Sequence, residues 1–247
     1  MTKNEETRIR RCLDSVRWAD EIVIVDGYSS DRTVEICKEY GAKVIQHKFE
    51  GSFDIECNLG IKNATGDWIL KIDADEVVTE GLKKDIEGVL KDDRGCSAFK
   101  FHRKNYFLGH FMRYGGWYHY ILSLFKREKA HYKGHIHETL IVDGKIGQLE
   151  GDCEHYPFSS LSEFIKRHNR YSSIEARRIL EEKGVLDFKT IRYNTTIKPL
   201  KRFFKFYIKK KGFLEGFYGL TFSVLFAWVH FVNWAKYWEL TREQDSS

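Results

Sequence analysis

Helical and strand patterns alternate over the first 76 residues, and this alternation restricts the folds open to the chain. Apolar residues at helical spacing predict a helix at residues 4–18, and a β-branched run predicts a strand at residues 21–26. A helix ending at Gly41, a strand at residues 42–46, a helix at residues 53–64 and a strand leading to Asp73 follow. This order predicts an α/β fold, with a mostly parallel sheet flanked by helices and ligands at the carboxyl ends of the strands.

The start of the chain departs from this pattern. A doubly wound unit normally begins with a strand, but Met1 is only three residues from the first helical residue. We therefore expect the first strand to be missing. Either an upstream strand has been lost, which is the interpretation we favour, or the sheet has a different strand order.

Three carboxylates, Asp73, Asp75 and Glu76, follow the apolar strand that begins at Trp68. Side chains two residues apart on an extended chain point to the same face, so Asp73 and Asp75 can converge on one cation. Paired hard oxygen ligands suit Mg²⁺ or Mn²⁺, which would neutralise a departing diphosphate. The alternative is a solvated turn after a strand.

Asp26 also stands at the end of a predicted strand, and the residues after it begin a helix. Small polar residues there, Ser29, Ser30 and Asp31, lie where free backbone NH groups and the helix dipole favour anions. A plain helix cap at Ser30 or Asp31 is the alternative, but it does not explain Asp26. Two acidic strand ends in one sheet predict a nucleotide-sugar site.

The distribution of charge predicts association with a membrane surface, and the cysteine content predicts a cytosolic location. The net charge of +5 is modest, but basic residues cluster between positions 198 and 211, and residues 216–235 then contain no charge. We expect a catalytic domain at residues 1–195 and a basic, hydrophobic segment at residues 196–247 that associates with a membrane surface instead of crossing it. Five cysteines without C-x-x-C spacing favour a reducing cytosol, and nucleic-acid binding is not expected.

Several motifs resemble family 2 glycosyltransferases of the GT-A fold. They are N-E-E at 4–6, D-G-Y-S-S-D-R-T at 26–33, A-T-G-D-W-I-L at 64–70 and D-A-D-E at 73–76. Later motifs resemble the branch that adds hexoses to the core of bacterial lipopolysaccharide: G-W-Y at 116–118, L-F-K-R at 124–127, H-E at 137–138, H-Y at 155–156 and N-R-Y at 169–171. The resemblance covers nearly the whole chain in order and spacing.

The resemblance implies roles for individual residues. The donor-binding residues that it implies are Asn4, Glu5, Asp26, Ser29, Asp31, Asn58 and Asp73, and the metal ligands are Asp75 and Asp73. Asp26 would contact the uracil or ribose of a UDP-sugar, and Asp73 and Asp75 would hold ribose and the metal-bound diphosphate. The cofactor is therefore expected to be Mg²⁺ or Mn²⁺.

An inverting transfer also needs a carboxylate that takes the proton from the acceptor hydroxyl. We expect Glu138 to be this general base, with His137 orienting it or contacting phosphate. Asp152 and Glu154 are alternatives, and the His-Glu pair could instead be a polar strand terminus.

These features predict a metal-dependent, inverting glycosyltransferase that moves a hexose, with glucose favoured, from a UDP-sugar to a lipid-linked or lipopolysaccharide core acceptor at the cytoplasmic membrane face. Three departures from the pattern of this family count against that function. They are the missing first strand, Cys57 before Asn58 in place of a basic residue, and Ser123 in place of an arginine. They leave open a truncated or inactive nucleotide-sugar-binding or scaffold protein. A nucleotidyltransferase is disfavoured because no glycine-rich basic loop lies near the start.

Overall fold

The computed structural model describes residues 1–49, 53–133 and 139–245 of the 247-residue chain, with side chains described as far as residue 242. The helices are α1 (Ile9–Ser15), α2 (Thr33–Glu39), α3 (Phe53–Asn63), α4 (Glu80–Lys91), α5 (Leu161–Lys183), α6 (Phe188–Thr195), α7 (Ile197–Phe204) and α8 (Gly216–Asp245). The strands are β1 (Val23–Asp26), β2 (Lys43–Gln46), β3 (Trp68–Leu70), β4 (Glu76–Val78), β5 (Cys96–Phe107), β6 (His110–Phe111), β7 (His119–Lys126), β8 (Ala130–Lys133), β9 (Thr139–Val142) and β10 (Lys145–Phe158). A π-helical turn (Lys205–Lys209) and a 3₁₀ turn (Gly212–Glu215) connect α7 to α8.

The chain divides into two compact units. Unit 1 comprises Met1–Lys104 and His119–His155, and unit 2 comprises Asn105–Tyr118 and Tyr156–Ser247. Unit 1 therefore contains most of the strands and both predicted acidic strand ends, whereas unit 2 is mostly helical. The predicted domain boundary after residue 195 stays a prediction.

The predicted α/β class is confirmed, and so is parallel pairing at the start of the chain. β1 and β2 pair in parallel, with Val23 opposite Lys43 and Asp26 opposite Gln46. β1 has three β-branched residues before Asp26, a composition that suits a strand buried on both faces. On its other edge, Thr2 forms an isolated parallel bridge with Asp26.

The larger sheet corrects the prediction of a mostly parallel arrangement. Its order is β3-β7-β5-β10-β4, with β6 paired to β5, and the pairs β3-β7, β5-β7, β5-β6 and β10-β4 are antiparallel. A parallel pair needs a crossover of about a dozen residues or more, whereas β5 reaches β6 through Leu108 and Gly109, both at positive φ. Helical periodicity marks crossovers only before residue 91, and the sequence neighbours β5 and β6, like β8 and β9, pair as antiparallel hairpins.

Each unit has its own apolar core. In unit 1, α4 contributes Leu82, Ile86 and Val89, spaced by three and four residues, to a cluster that includes Phe99 and Leu124. The Thr79 hydroxyl caps this helix by accepting a hydrogen bond from the Leu82 NH group at 3.2 Å. The acidic residues Asp73 and Asp75 thus lie just before β4 and α4, and β5 follows α4 in the chain.

Unit 2 is built around α8, which packs on α5, α6 and α7. Phe222 of α8 lies with Phe107 and Phe164 in one cluster, and Trp234 and Tyr237 lie in another. The Tyr237 hydroxyl accepts a hydrogen bond from the Leu186 NH group and donates one to the Gly184 carbonyl, both at 2.8 Å. The helix α5 begins after Ser160, whose hydroxyl accepts a hydrogen bond from the Glu163 NH group at 3.1 Å.

Candidate functional site

Asp73 lies between two cations in the loop that follows β3. Its Oδ1 accepts from Lys71 Nζ at 2.9 Å, and its Oδ2 accepts from the Arg103 guanidinium at 3.0 Å. Burial disfavours the charged carboxylate, but Lys71 and Arg103 outweigh burial and hold the pKa of Asp73 well below its usual range. The loop therefore carries an ionised carboxylate whose charge is balanced by two basic side chains.

Glu76 holds this loop in place from the start of β4. Its side chain is buried, one oxygen accepts from the Asp73 NH group at 2.7 Å, and the other is paired with Arg103. Burial, followed by repulsion from Asp73, raises the pKa of Glu76. Arg103 thus joins two carboxylates that would otherwise repel each other.

Asp75 is only 8% exposed and faces β10. His155 lies opposite Glu76 in the β4–β10 pairing, and its Nε2 atom is 3.5 Å from Asp75 Oδ1. The strand register therefore brings an imidazole from the far end of unit 1 to the second aspartate of the D-A-D-E motif.

The Asp75 and His155 pair fits a divalent cation in the chemistry of its donors. Carboxylate oxygen and imidazole nitrogen are ligands that Mn²⁺ accepts, and such ions commonly retain water or bind substrate phosphates beside one or two protein ligands. Across the described ranges, with their gaps at 50–52 and 134–138, no group of three or more His, Cys, Asp or Glu side chains is arranged to hold a metal ion. Protein ligands alone would thus make an incomplete site, which a bound diphosphate could complete.

Asp26 is fully buried and organises the loop after β1. Its carboxylate accepts hydrogen bonds from the hydroxyl groups of Thr2 and Ser29, at 3.2 and 2.5 Å, and from the Ser29 NH group at 2.9 Å. Tyr28 adopts a positive φ of 58° and is 57% exposed. The loop is therefore fixed from beneath by Asp26 and presents Tyr28 to solvent.

Residues 4–6 and 29–33 interlock above this loop. The Asn4 NH group donates to Ser29 Oγ at 2.9 Å, and Asn4 Oδ1 accepts from the Ser30 NH group at 2.8 Å. The Glu5 NH group donates to Thr33 Oγ1 at 2.8 Å, and Asp31 Oδ1 accepts from the NH group of Thr33, the first residue of α2, at 3.0 Å. The structure thus brings together five of the predicted donor-site residues, Asn4, Glu5, Asp26, Ser29 and Asp31.

Asn58 lies elsewhere in unit 1, on α3. Its side-chain amide donates to the Tyr132 carbonyl at 2.8 Å and accepts from the Tyr132 NH group at 2.9 Å. Both polar ends of the amide therefore clamp the backbone of β8. Its predicted contact with the donor stays a prediction.

The predicted general base, Glu138, lies outside the described residues, and so does His137 beside it. Of the alternative bases, Glu154 is adjacent to His155 on β10 and lies 3.4 Å from Arg11 and 3.9 Å from Lys104. Asp152 accepts through its backbone carbonyl from the Thr79 hydroxyl at 2.7 Å. The assignment of Glu138 as the base stays a prediction.

Sequence reasoning gave no place in the acidic site to Lys71, Arg103 or His155, although His155 stands in the H-Y motif at 155–156. Lys71 could have been found, because it stands two residues before Asp73 and shares its face of an extended chain. Arg103 and His155 gave no local signal of a role here, since their positions depend on the pairing of β5 and β10 within the larger sheet.

Comparison with known proteins identifies the family. The model of the glycosyl transferase family 2 matches residues 1–147. An uncharacterized glycosyltransferase of Rickettsia typhi is 28% identical over 98% of this chain and 86% of its own length. The lipopolysaccharide core biosynthesis glycosyltransferase LpsC of Rhizobium meliloti is 24% identical over 91% of this chain and 87% of its own length.

Solved structures were compared as well. Glucosyl-3-phosphoglycerate synthase from Mycobacterium tuberculosis, in complex with Mn²⁺, UDP-glucose and phosphoglyceric acid, aligns over 76% of this chain and 79% of its own, with a TM-score of 0.47 and 16% identity.

The family match spans more than half of the chain, including the β1 loop and the D-A-D-E motif. The chain belongs to glycosyl transferase family 2, and it is accordingly a glycosyltransferase with an α/β fold of the GT-A type.

Proposed function

We propose that this chain is an inverting, metal-dependent glycosyltransferase that transfers a hexose, glucose in the favoured case, from a UDP-sugar to a lipid-linked or lipopolysaccharide core acceptor. The observation that carries the proposal is the convergence of Asp73, Asp75, Lys71 and Arg103 after β3, in a chain of family 2. Two carboxylates after β3, together with Lys71 and with Arg103 from β5, match a donor that combines a polyhydroxylated sugar with an anionic diphosphate.

The two cations have a specific part in this proposal. Lys71 and Arg103 neutralise Asp73 in the structure described here. A diphosphate offers both side chains a second anionic partner, and Arg can bind phosphate through two parallel hydrogen bonds. Donor binding would then release Asp73 to accept hydrogen bonds from ribose or to join the metal.

Asp75 and His155 would hold the divalent cation. The chemistry supplied there by a divalent cation would be neutralisation of the charge on the departing diphosphate. The loop fixed by Asp26 would bind the uridine, because the motif at residues 26–33 resembles the donor loop of the family. Glu138 would accept the proton of the attacking hydroxyl, with His137 orienting it.

The acceptor proposal draws on the name of LpsC, a lipopolysaccharide core biosynthesis glycosyltransferase. A core acceptor is attached to lipid, so an enzyme acting on it benefits from residence at the membrane. We place the protein at the cytoplasmic face, peripheral to the membrane, and the surface of unit 2 supports this placement.

Unit 2 exposes apolar and basic side chains together between α7 and α8. Leu200 and Phe204 are each 58% exposed and Phe217 is 79% exposed. Exposed lysines alternate with these apolar residues: Lys198, Lys201, Lys205, Lys209, Lys210 and Lys211. Apolar side chains that insert below the headgroups, flanked by lysines that pair with anionic lipids, favour binding in the plane of a membrane surface.

The packing of α8 supports surface binding over crossing. The segment Gly212–Arg242 is long and apolar enough to span a bilayer by length and composition, which is weak evidence by itself. Large side chains seven residues apart form an exposed apolar stripe along α8, made up of Phe217, Val224, Phe231 and Trp238. The opposite face packs on α5, whose Arg178 pairs with Glu175 and Glu182, and such a charged helix cannot enter the hydrocarbon core.

A binding experiment tests the metal site. We expect Asp75→Asn to weaken the affinity for UDP in the presence of Mn²⁺ by at least about tenfold, because the variant loses the charged ligand. Calorimetry with and without Mn²⁺ measures this effect. Glu87→Gln, an equivalent change on the exposed face of α4, is the control and should bind like the wild type. Equal Mn²⁺-dependent binding by wild type and Asp75→Asn would refute the metal assignment.

A further inference from the structure

The segment between β5 and β7, residues 108–118, belongs to unit 2 and packs on the core of that unit. Near its end, the Trp117 ring lies 4.9 Å from the Phe222 ring of α8. Arg113 and Tyr114, in the middle of the segment, are exposed to solvent. The β5–β7 segment therefore has a packed base and an exposed tip, which consists of Arg113 and Tyr114.

Glu215 joins this tip to the connection between α7 and α8. Its Oε1 atom accepts a hydrogen bond from the Tyr114 NH group at 2.6 Å, and its Oε2 atom lies 2.7 Å from His110 Nε2. The His110 ring also stacks on the ring of Tyr218, near the start of α8, at a centroid distance of 4.4 Å. Hydrogen bonds to a carboxylate are about twice as strong as those between neutral groups, so Glu215 holds the tip firmly.

The backbone of the segment also lies directly against this connection. The Gly115 NH group donates to the Lys210 carbonyl at 2.8 Å. Gly115 and Gly116 have positive φ angles of 78° and 80°, which glycine adopts without steric cost. A Cβ atom at Gly116 would lie 3.2 Å from Lys210 Cγ, so a side chain there would crowd the contact. The two glycines thus allow the close approach that Glu215 stabilises.

The charges around this contact are positive where they are exposed. Glu215 is the only acidic residue of the sequence between Asp187 and Glu239, and its side chain is only 7% exposed. Residues 209–211 are three exposed lysines, and the tip adds Arg113. The single carboxylate of this stretch therefore faces inward to the β5–β7 segment, and the basic side chains beside it face the solvent.

Large apolar and aromatic side chains are exposed beside these basic residues. Phe213 is 46% exposed and Leu214 is 53% exposed, and they directly precede Glu215. Tyr218 and Tyr114 are 41% and 37% exposed. Tyrosine rings that carry a polar hydroxyl are favoured at the headgroup level of a bilayer. The tip thus continues the apolar and basic surface of α7 and α8.

We propose that the tip of the β5–β7 segment is a second membrane-contacting element, which Glu215 holds in one surface with the exposed residues of α7 and α8. The partner is a bilayer that contains anionic lipid, with Arg113 pairing with headgroup phosphates and Tyr114 lying at the headgroup level. This contact rests on the proposed function, in which unit 2 binds a membrane. Two elements that are 101 residues apart in the chain would then fix the orientation of unit 2 on the bilayer.

A fluorescent label at the tip tests the contact. The five cysteines of the chain are buried, so an introduced surface cysteine can be labelled selectively with the environment-sensitive dye NBD. With vesicles of phosphatidylglycerol and phosphatidylcholine, labelled Tyr114→Cys should shift its emission to the blue and gain at least about twofold in intensity. Labelled Leu200→Cys reports on α7, and labelled Leu90→Cys, on the exposed face of α4 in unit 1, is the control that should not respond.

The three labelled proteins separate this contact from the proposed membrane surface of α7 and α8. Responses at positions 114 and 200, without one at position 90, support both. A response at position 200 alone would overturn the contact of the tip and retain the surface of α7 and α8. No response at either position would overturn both, and an equal response at all three positions would indicate non-specific adsorption and overturn the contact as well.

The part assigned to Glu215 has its own test in the same assay. Glu215→Ala loses both interactions of the carboxylate, so the response at position 114 should fall at least about twofold while that at position 200 does not fall. Loss of a negative charge alone would strengthen binding to anionic lipid, which is an effect of opposite sign. Glu181→Ala on the exposed face of α5 is the control with the same change of charge. An undiminished response at position 114 in Glu215→Ala would show that Glu215 does not hold the tip at the membrane.

Discussion

Single residues in this protein owe their charge state to neighbours that are distant in sequence. Asp73 is balanced by Lys71 and Arg103, and Arg103 in turn pairs with the buried Glu76. Removing Arg103 would leave the buried Glu76 carboxylate uncompensated, and breaking a buried ion pair in this way costs about 3–5 kcal/mol. These ion pairs therefore hold the acidic loop, and under the proposed function the same groups would exchange partners with a diphosphate.

His168 on α5 gives a prediction at this scale. Its ring packs against Phe164 at a centroid distance of 4.2 Å, and burial lowers the pKa of His168 to about 4. The unfolded chain binds a proton near pH 6.5, so stability is present above that pH and is lost as the pH falls from about 6.5 to about 4. Because the ring is partly exposed, we expect a loss of no more than about 2 kcal/mol.

Urea unfolding at a series of pH values measures this effect. His168→Gln cannot titrate and should show a smaller loss of stability over the same window. His230, whose pKa burial also lowers to about 4, retains its own contribution in both proteins. An identical pH dependence in wild type and variant would show that His168 is not held neutral.

The acidic residues of the site could be predicted from sequence, and their partners could not. Asp26 and Asp73 end apolar strands, a signal contained within a few adjacent residues. Arg103 reaches Asp73 only through the order of strands in the larger sheet, which no local pattern encodes. For Asn58 the resemblance to the family predicted a contact with the donor. It did not predict the two hydrogen bonds that the side chain makes to the backbone of Tyr132.

At the scale of the elements, the presence or absence of a helix between two strands explains where parallel pairing was predicted correctly and where it was not. Parallel pairing was predicted correctly for β1 and β2, where the helix α2 provides the crossover. It was wrong for the larger sheet, because β5 and β7 have aromatic and polar residues in strand alternation but no helix between them. The aromatic stretch between them gives Trp117, whose ring lies 4.9 Å from Phe222 in the core of unit 2.

The elements α7 and α8 give a prediction for membrane binding. Lys201→Glu combined with Lys205→Glu should reduce binding to vesicles of anionic lipid by at least about tenfold, because each lysine near such a surface contributes about 1 kcal/mol. The control pair Lys84→Glu and Lys91→Glu changes the net charge equally on α4. Flotation with anionic and neutral vesicles measures binding, and equal loss in both pairs would assign the effect to net charge alone.

At the scale of the whole molecule, the match to the family 2 model falls mostly in unit 1, and the mostly helical unit 2 has an exposed apolar and basic surface. Unit 1 carries the groups proposed to bind the donor. Unit 2 carries the groups proposed to bind the membrane, where a lipid-linked acceptor would reside. Loss of vesicle binding should therefore lower transfer to a lipid-linked acceptor and leave UDP affinity unchanged.

The most direct test of the central claim is release of UDP from a panel of UDP-hexoses by the purified chain, with and without Mn²⁺ and a lipopolysaccharide core acceptor. We expect Mn²⁺-dependent release with one sugar, and we expect Glu138→Gln to lose this release while it still binds UDP. Normal release by Glu138→Gln would contradict the assigned base. Binding of UDP by the wild type without release from any donor would contradict the account and identify a nucleotide-sugar-binding protein.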